Sequence, residues 1–118
     1  MAKVMIVDDA APDRMLLERL VKEAGHAPIC VISAEEALTR ARTELPAMIF
    51  MDVNMPVTDG FSAARQLASD PRTKNIPVVF VTSKNQKADR VFAQILGARS
   101  FISKPYAPEQ IKELLITI

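Results

Sequence analysis

Five short apolar runs, spaced about 20 to 30 residues apart, restrict this chain more than any other feature. They are Val4 to Val7, Pro28 to Ile32, Met48 to Met51, Val78 to Val81 and the brief Phe101-Ile102. Most are unbroken rather than alternating, the pattern of strands in a parallel sheet covered on both faces. Helical periodicity fills the intervals. Leu16, Leu17, Leu20, Val21 and Ala24 form one stripe, closed by Gly25 as a C-terminal cap. Ser33 followed by Glu36 is a capping box that opens a second helix with Ala34, Ala37, Leu38 and Ala41 inward. Phe61 to Ser69 makes a third, with Phe61, Ala64 and Leu67 inward. Ala88, Val91, Phe92, Ile95 and Leu96 mark a fourth, ended by Gly97. Pro108, at a first-turn position, starts a fifth that buries Ile111, Leu114 and Leu115. Strict β-α alternation predicts an α/β three-layer sandwich, a (βα)5 doubly wound sheet of five parallel strands with right-handed crossovers.

The 118 residues suit a single domain over positions 1–118, long enough for one core. A net charge of +1 gives no electrostatic case for nucleic acid or an anionic membrane as a partner. With no signal-peptide pattern and no apolar run near 18 residues, a cytoplasmic protein is expected. The single cysteine, Cys30, has no partner for an internal disulfide; within Ile29-Cys30-Val31-Ile32 it reads as a buried, inert thiol. Absence of Trp and scarcity of Gly argue against a β-sandwich. His26 reads as a surface or turn residue, and Arg72-Thr73-Lys74 as a solvated loop.

The polar residues gather where such a fold binds ligands, just outside the carboxyl ends of the strands. Asp8 and Asp9 follow the first strand and Asp52 the third. Thr82 and Ser83 follow the fourth, and Lys104-Pro105 the fifth. Taken singly, each has a plain reading as a helix cap, turn former or surface charge. Together they place three carboxylates and one ammonium in one shallow pocket, an excess negative charge that a divalent cation would remove. An all-oxygen donor set without Cys or His points to Mg²⁺ or Mn²⁺. Too few protein ligands are present to enclose the ion, which leaves room for a phosphate oxygen. Such a site suits phosphoryl transfer, with a carboxylate as nucleophile.

The set Asp8-Asp9, Asp52-Val53-Asn54-Met55-Pro56 closing on Gly60, Thr82 and Lys104-Pro105 resembles the receiver domain of two-component response regulators, the CheY-like fold, over the whole chain. The resemblance implies that Asp52 accepts a phosphoryl group from a phosphohistidine on a histidine kinase or histidine phosphotransfer protein. It implies metal ligation by Asp9 directly, by Asp8 mainly through a metal-bound water, by Asp52, and by the backbone carbonyl of Asn54. Lys104 would pair with a phosphoryl oxygen, and Pro105 would follow a cis peptide bond. Thr82 would hydrogen-bond the phosphoryl group, and Phe101 would turn inward as the switch aromatic. Phosphorylation would then remodel the surface of the fourth helix, fifth strand and fifth helix, where a downstream target docks. Phe101 stands where well-known relatives carry Tyr, so a contact through that hydroxyl is lost. Lys84, two residues after Thr82, would join Asn54 in tuning hydrolysis. A monomer, or a weak phosphorylation-dependent dimer through Phe92 and Ala93, is expected. Met1, close before the first strand, suggests a natural N-terminus.

Rival readings are weaker on the residues themselves. A haloacid-dehalogenase-like phosphatase needs a second acid two residues after the nucleophile, and that position holds Asn54. An FMN module would meet repulsion from Asp8 and Asp9 in its phosphate loop, and no G-x-G-x-x-G occurs for a dinucleotide. The alternative kept open is a degenerate receiver, not phosphorylated, that acts as a protein-interaction module; it would be expected to lack one of the five pocket residues, and none is missing. The chain is thus expected to be a signalling domain that catalyses only its own phosphotransfer and dephosphorylation.

Overall fold

A computed structural model describes residues 1–118. Five strands, β1 (Lys3–Val7), β2 (Ala27–Val31), β3 (Met48–Met51), β4 (Val78–Thr82) and β5 (Ser100–Ser103), alternate with five helices: α1 (Ala11–Glu23), α2 (Ala34–Glu44), α3 (Gly60–Ser69), α4 (Lys87–Ile95) and α5 (Pro108–Leu115). All pairings are parallel, in the order β2-β1-β3-β4-β5. The central strands are the apolar runs, and β1, β3 and β4 are buried along almost their whole length. Order reversal beside β1 leaves a crevice above β1 and β3, so the carboxyl ends of β1, β3, β4 and β5 face one rim.

Because side chains alternate across each strand, the sheet splits the core in two. Met5, Val7, Ile49, Met51 and Phe80 point to the side covered by α2, α3 and α4. Val4, Ile6, Met48, Phe50, Val79 and Val81 point to the side covered by α1 and α5. The α2 cap forms as its sequence predicts: Ser33 Oγ accepts from Glu36 N at 3.2 Å. The Glu36 carboxylate reaches one residue further back than the motif specifies, accepting from Ile32 N. Ala34, Ala37, Leu38 and Ala41 are all buried.

Four expectations need correcting. β2 ends at Val31 and leaves Ile32 57% exposed, because the capping turn of α2 starts there. Ala24 lies past the last turn of α1 and is exposed. Cys30 is only half-buried; burial and the nearby Glu18 carboxylate still push its thiol upward, which keeps it unreactive. Thr73 is 1% exposed, not solvated, and its hydroxyl donates to Leu67 O at 2.7 Å, closing the turn after α3. His26 is half-buried, and its Nδ1 accepts from Ala2 N at 3.0 Å.

The largest departure is α4. Ala88, Val91 and Ile95 are exposed, Val91 by 46% and Ile95 by 74%. The buried residues are Asp89 and Ala93, with Phe92 and Leu96 half-buried. The apolar positions run around two sides of the helix, so only part of that stripe reaches the core. Ala93, 1% exposed, has no surface to offer a dimer contact.

Candidate functional site

Backbone pairing brings the strand ends level. Asp52 N donates to Val7 O at 2.9 Å, Asp8 N to Val31 O at 3.2 Å and Lys104 N to Thr82 O at 2.9 Å. The carboxylates of Asp8, Asp9 and Asp52 consequently converge, with one oxygen from each lying within 4.8 Å of the others. Asp8 is 1% and Asp52 8% exposed, while Asp9 faces solvent. Neither Asp8 nor Asp9 caps α1, whose N-cap is Ala10 with no side-chain cap bond; Asp8 Oδ1 instead accepts from Ala10 N at 2.9 Å.

Lys104 reaches the trio from β5. Its Nζ donates to Asp8 Oδ2 at 2.8 Å, Asp13 Oδ2 at 3.1 Å and Asp52 Oδ2 at 3.4 Å. The Lys104–Pro105 peptide is cis. Burial alone would lower the lysine, but the Asp8 hydrogen bond and the charges of Asp52 and Asp8 outweigh it and hold the ammonium well above its ordinary value. Asp8 moves the other way from a paired acid: burial dominates and raises its carboxyl above 3.8, despite help from Lys104 and Ala10.

That shift has a sign. An acid whose folded pKa lies above its unfolded one stabilises the fold below the unfolded value, and this is lost as pH rises through the folded value. Metal-free Asp8→Asn should therefore be more stable than the native chain at pH 7, with the difference closing below 3.8. Denaturant unfolding at the two pH values checks this; a gap that persists in acid would contradict it.

Thr82 is fully buried, and its Oγ1 accepts from Lys84 N at 3.1 Å. The Lys84 ammonium turns away from the acids and sits 3.5 Å from Asp89 Oδ1 at the start of α4. Phe101 is half-buried, 6.4 Å from the Phe80 ring, with the Arg90 guanidinium over its ring at 5.0 Å. Asn54 is exposed and its N–H donates to Asp52 Oδ1 at 3.2 Å, so the loop after β3 turns back onto the carboxylate it follows. Asp59 caps α3, its Oδ1 accepting from Ser62 N at 2.8 Å, and the helix starts at Gly60, one residue ahead of its expected first residue. Between them Val57 sits at φ 69° and 98% exposed, a conformation that a β-branched residue adopts only with strain.

One member of the site goes unnoticed in the sequence reading: Asp13, on the first turn of α1. Its only sequence signal is its place four residues after Asp9, in the first turn of α1, and an acid there is ordinary beside the positive end of the helix dipole. With it, the site holds four carboxylates, three of them on the single ammonium of Lys104, so the excess negative charge is larger than the strand-end acids alone suggest. The donors are all hard oxygens, and the three strand-end carboxylates lie close enough together to serve one ion; the residues fit Mg²⁺ or Mn²⁺. A cleft of about 440 Å³, lined by Asp13, Leu16, Asp52, Ser83, Lys104 and Tyr106 among others, opens beside them. Burial pushes the Tyr106 phenol up to about 12, so it stays neutral there.

Known proteins resemble the chain in both sequence and fold. The response regulator receiver domain family matches residues 4–116. Protein PilH of Pseudomonas aeruginosa is 36% identical over 94% of this chain and 92% of its own length. Several other curated relatives are longer, and the chain spans less than half of each. The chemotaxis protein CheY4 of Vibrio cholerae superposes with a TM-score of 0.91 at 28% identity, covering 100% of this chain and 98% of that one. The receiver domain of sensor histidine kinase PA1611 from Pseudomonas aeruginosa, solved with a magnesium ion in its active-site cleft, shares the fold at a TM-score of 0.89 and 22% identity, over 98% and 95% of the two chains.

Proposed function

Because the chain belongs to the response regulator receiver family of two-component signalling, we propose that Asp52 accepts a phosphoryl group from a phosphohistidine on a partner kinase or phosphotransfer protein. The observation that carries this reading is the Lys104 ammonium held 3.4 Å from Asp52 Oδ2, beside three convergent carboxylates. A cation so placed neutralises charge on a phosphoryl oxygen without first having to move into the pocket. An Asp52 carboxylate oxygen attacks phosphorus; an O–P bond forms as the P–N bond breaks, and the imidazole nitrogen leaves with the electron pair. Hydrolysis later adds a water oxygen to phosphorus, breaks the bond to Asp52 and releases inorganic phosphate.

Asp8, Asp9 and Asp52, with the carbonyl of Asn54, would hold Mg²⁺ or Mn²⁺. That ion, when bound, offsets the negative charge of the acids and the incoming phosphoryl group. Thr82, at the neighbouring strand end, is placed to exchange its bond with Lys84 N for one to a phosphoryl oxygen. Phe101 lies beside Phe80 on the same face of the sheet as Thr82, so movement of the hydroxyl bears on that ring. The switch is read out on α4, β5 and α5, where a target protein docks. Ile95 and Val91 are the exposed apolar groups of α4 there, and they join the half-buried Phe92, in place of Ala93, as candidates for any dimer contact. We place the protein in the cytoplasm, as one receiver domain over residues 1–118.

The test is fluoroberyllate or acetyl phosphate with Mg²⁺. With acetyl phosphate the native chain should gain one phosphoryl group per molecule by intact-mass measurement, with acetate leaving, and with either reagent it should show amide shifts around Thr82 and Phe101. Asp52→Asn should show neither. Shifts that survive in Asp52→Asn, or none in the native chain, favour instead an interaction module that works without phosphorylation.

A further inference from the structure

Phosphotransfer through Asp52 leaves Asp13 without a task, although its carboxylate touches the same ammonium. An ammonium has three N–H donors, and Lys104 gives one each to Asp8, Asp13 and Asp52. A phosphoryl group on Asp52 needs at least one of them. Asp8 cannot release its share cheaply. Its side chain is 2% exposed, so water does not replace the ammonium there and only a second cation offsets the desolvation cost. Asp13 can, because its side chain is 47% exposed and water replaces the lost partner.

We propose that Asp13 is a competing counter-ion, which occupies one donor of Lys104 in the unphosphorylated chain and biases the switch against the phosphorylated state. The proposal rests on the phosphoacceptor reading of Asp52 and names the residue that tunes it. Competition for the donor is reinforced by charge, since the Asp13 carboxylate and a phosphoryl group would flank one ammonium and repel each other. Toward a divalent cation Asp13 acts in the opposite sense, adding negative charge beside Asp8, Asp9 and Asp52. One side chain thus favours the metal and disfavours the anion.

Asp13→Asn keeps the shape and removes the charge. With Mg²⁺ saturating, fluoroberyllate should bind about twofold to fivefold more tightly than to the native chain, as suits a half-exposed ion pair. Mg²⁺ alone, followed by calorimetry, should bind more weakly by a similar factor. Both differences should shrink as ionic strength rises, and Asp13→Glu should behave as native. A residue that only shaped α1 would move the two affinities together and leave them insensitive to salt. Unchanged or weaker fluoroberyllate binding in Asp13→Asn, with the native chain binding normally, overturns this proposal alone. No fluoroberyllate binding by the native chain removes the phosphoacceptor reading, and the role of Asp13 with it.

Discussion

Gly60→Ala should lose about 3 kcal/mol of folding stability, the upper range for overpacking a tight site, and bind fluoroberyllate poorly even where it remains folded. A Cβ on Gly60 would lie 2.1 Å from Asp52 O, 2.9 Å from Asp52 C and 2.9 Å from Val53 Cα. These are backbone atoms, so no rotamer change relieves the clash. The helix start is also pinned, as Gly60 N donates to Val53 O at 3.0 Å. Relief requires moving either α3 or the Asp52–Val53 peptide. Moving α3 pulls Phe61 from its edge-on contacts with Phe80 and Phe92, both at 5.0 Å. Moving the peptide displaces the nucleophile. Urea unfolding measures the first effect and fluoroberyllate titration the second; a loss below about 1 kcal/mol with native binding would show that the contact yields easily.

Lys104→Met should be the second severe change, and its signature is pH. It leaves Asp8, Asp13 and Asp52 without their shared cation, and Asp8 is nearly inaccessible to water. Removing one partner of a buried pair typically costs about 3 to 5 kcal/mol; with Asp13 half-exposed, about 3 kcal/mol at pH 7 without metal is the expected loss. Protonation of the stranded acids removes the cause, so the deficit should fade as pH falls to about 4. Mg²⁺ should restore stability more in Lys104→Met than in the native chain. A deficit equal at pH 7 and pH 4 would mean that the lysine stem matters by packing, not by charge.

Much of this was legible in the residue order. Unbroken apolar runs located all five strands, and their polar successors located the site, because a parallel sheet sends every strand end to one rim. Ser33 and Glu36 announced α2 through chemistry that is local to one turn. What escaped detection depends on distance across the fold. Asp13 resembles any first-turn acid until β5 brings Lys104 against it. Gly60 stands out in the sequence only as the residue that closes the Asp52 stretch, yet it is needed because α3 begins in contact with the peptide of Asp52. Val91 and Ile95 share a helical stripe with Phe92 and Leu96, and only docking decides which of them the sheet covers. Thr73, between Arg72 and Lys74, has a hydroxyl that satisfies a carbonyl of the helix before it, a partner no window of polarity reveals.

The uneven attachment of α4 has a mechanical consequence. α2 and α3 bury four and five residues, whereas α4 buries only Asp89 and Ala93. One exposed polar tie joins it to β5, Arg90 donating to Ser103 Oγ at 2.7 Å, while the bonds from Arg90 to Asn85 Oδ1 and from Gln86 N to Asp89 only close its own first turn. Hydrogen bonds at a wet surface can be traded for bonds to water at little net cost, while buried apolar area cannot. That layer is therefore firmer at α2 and α3 than at α4. A nudge delivered at Thr82 meets least resistance in the direction of the helix most easily shifted.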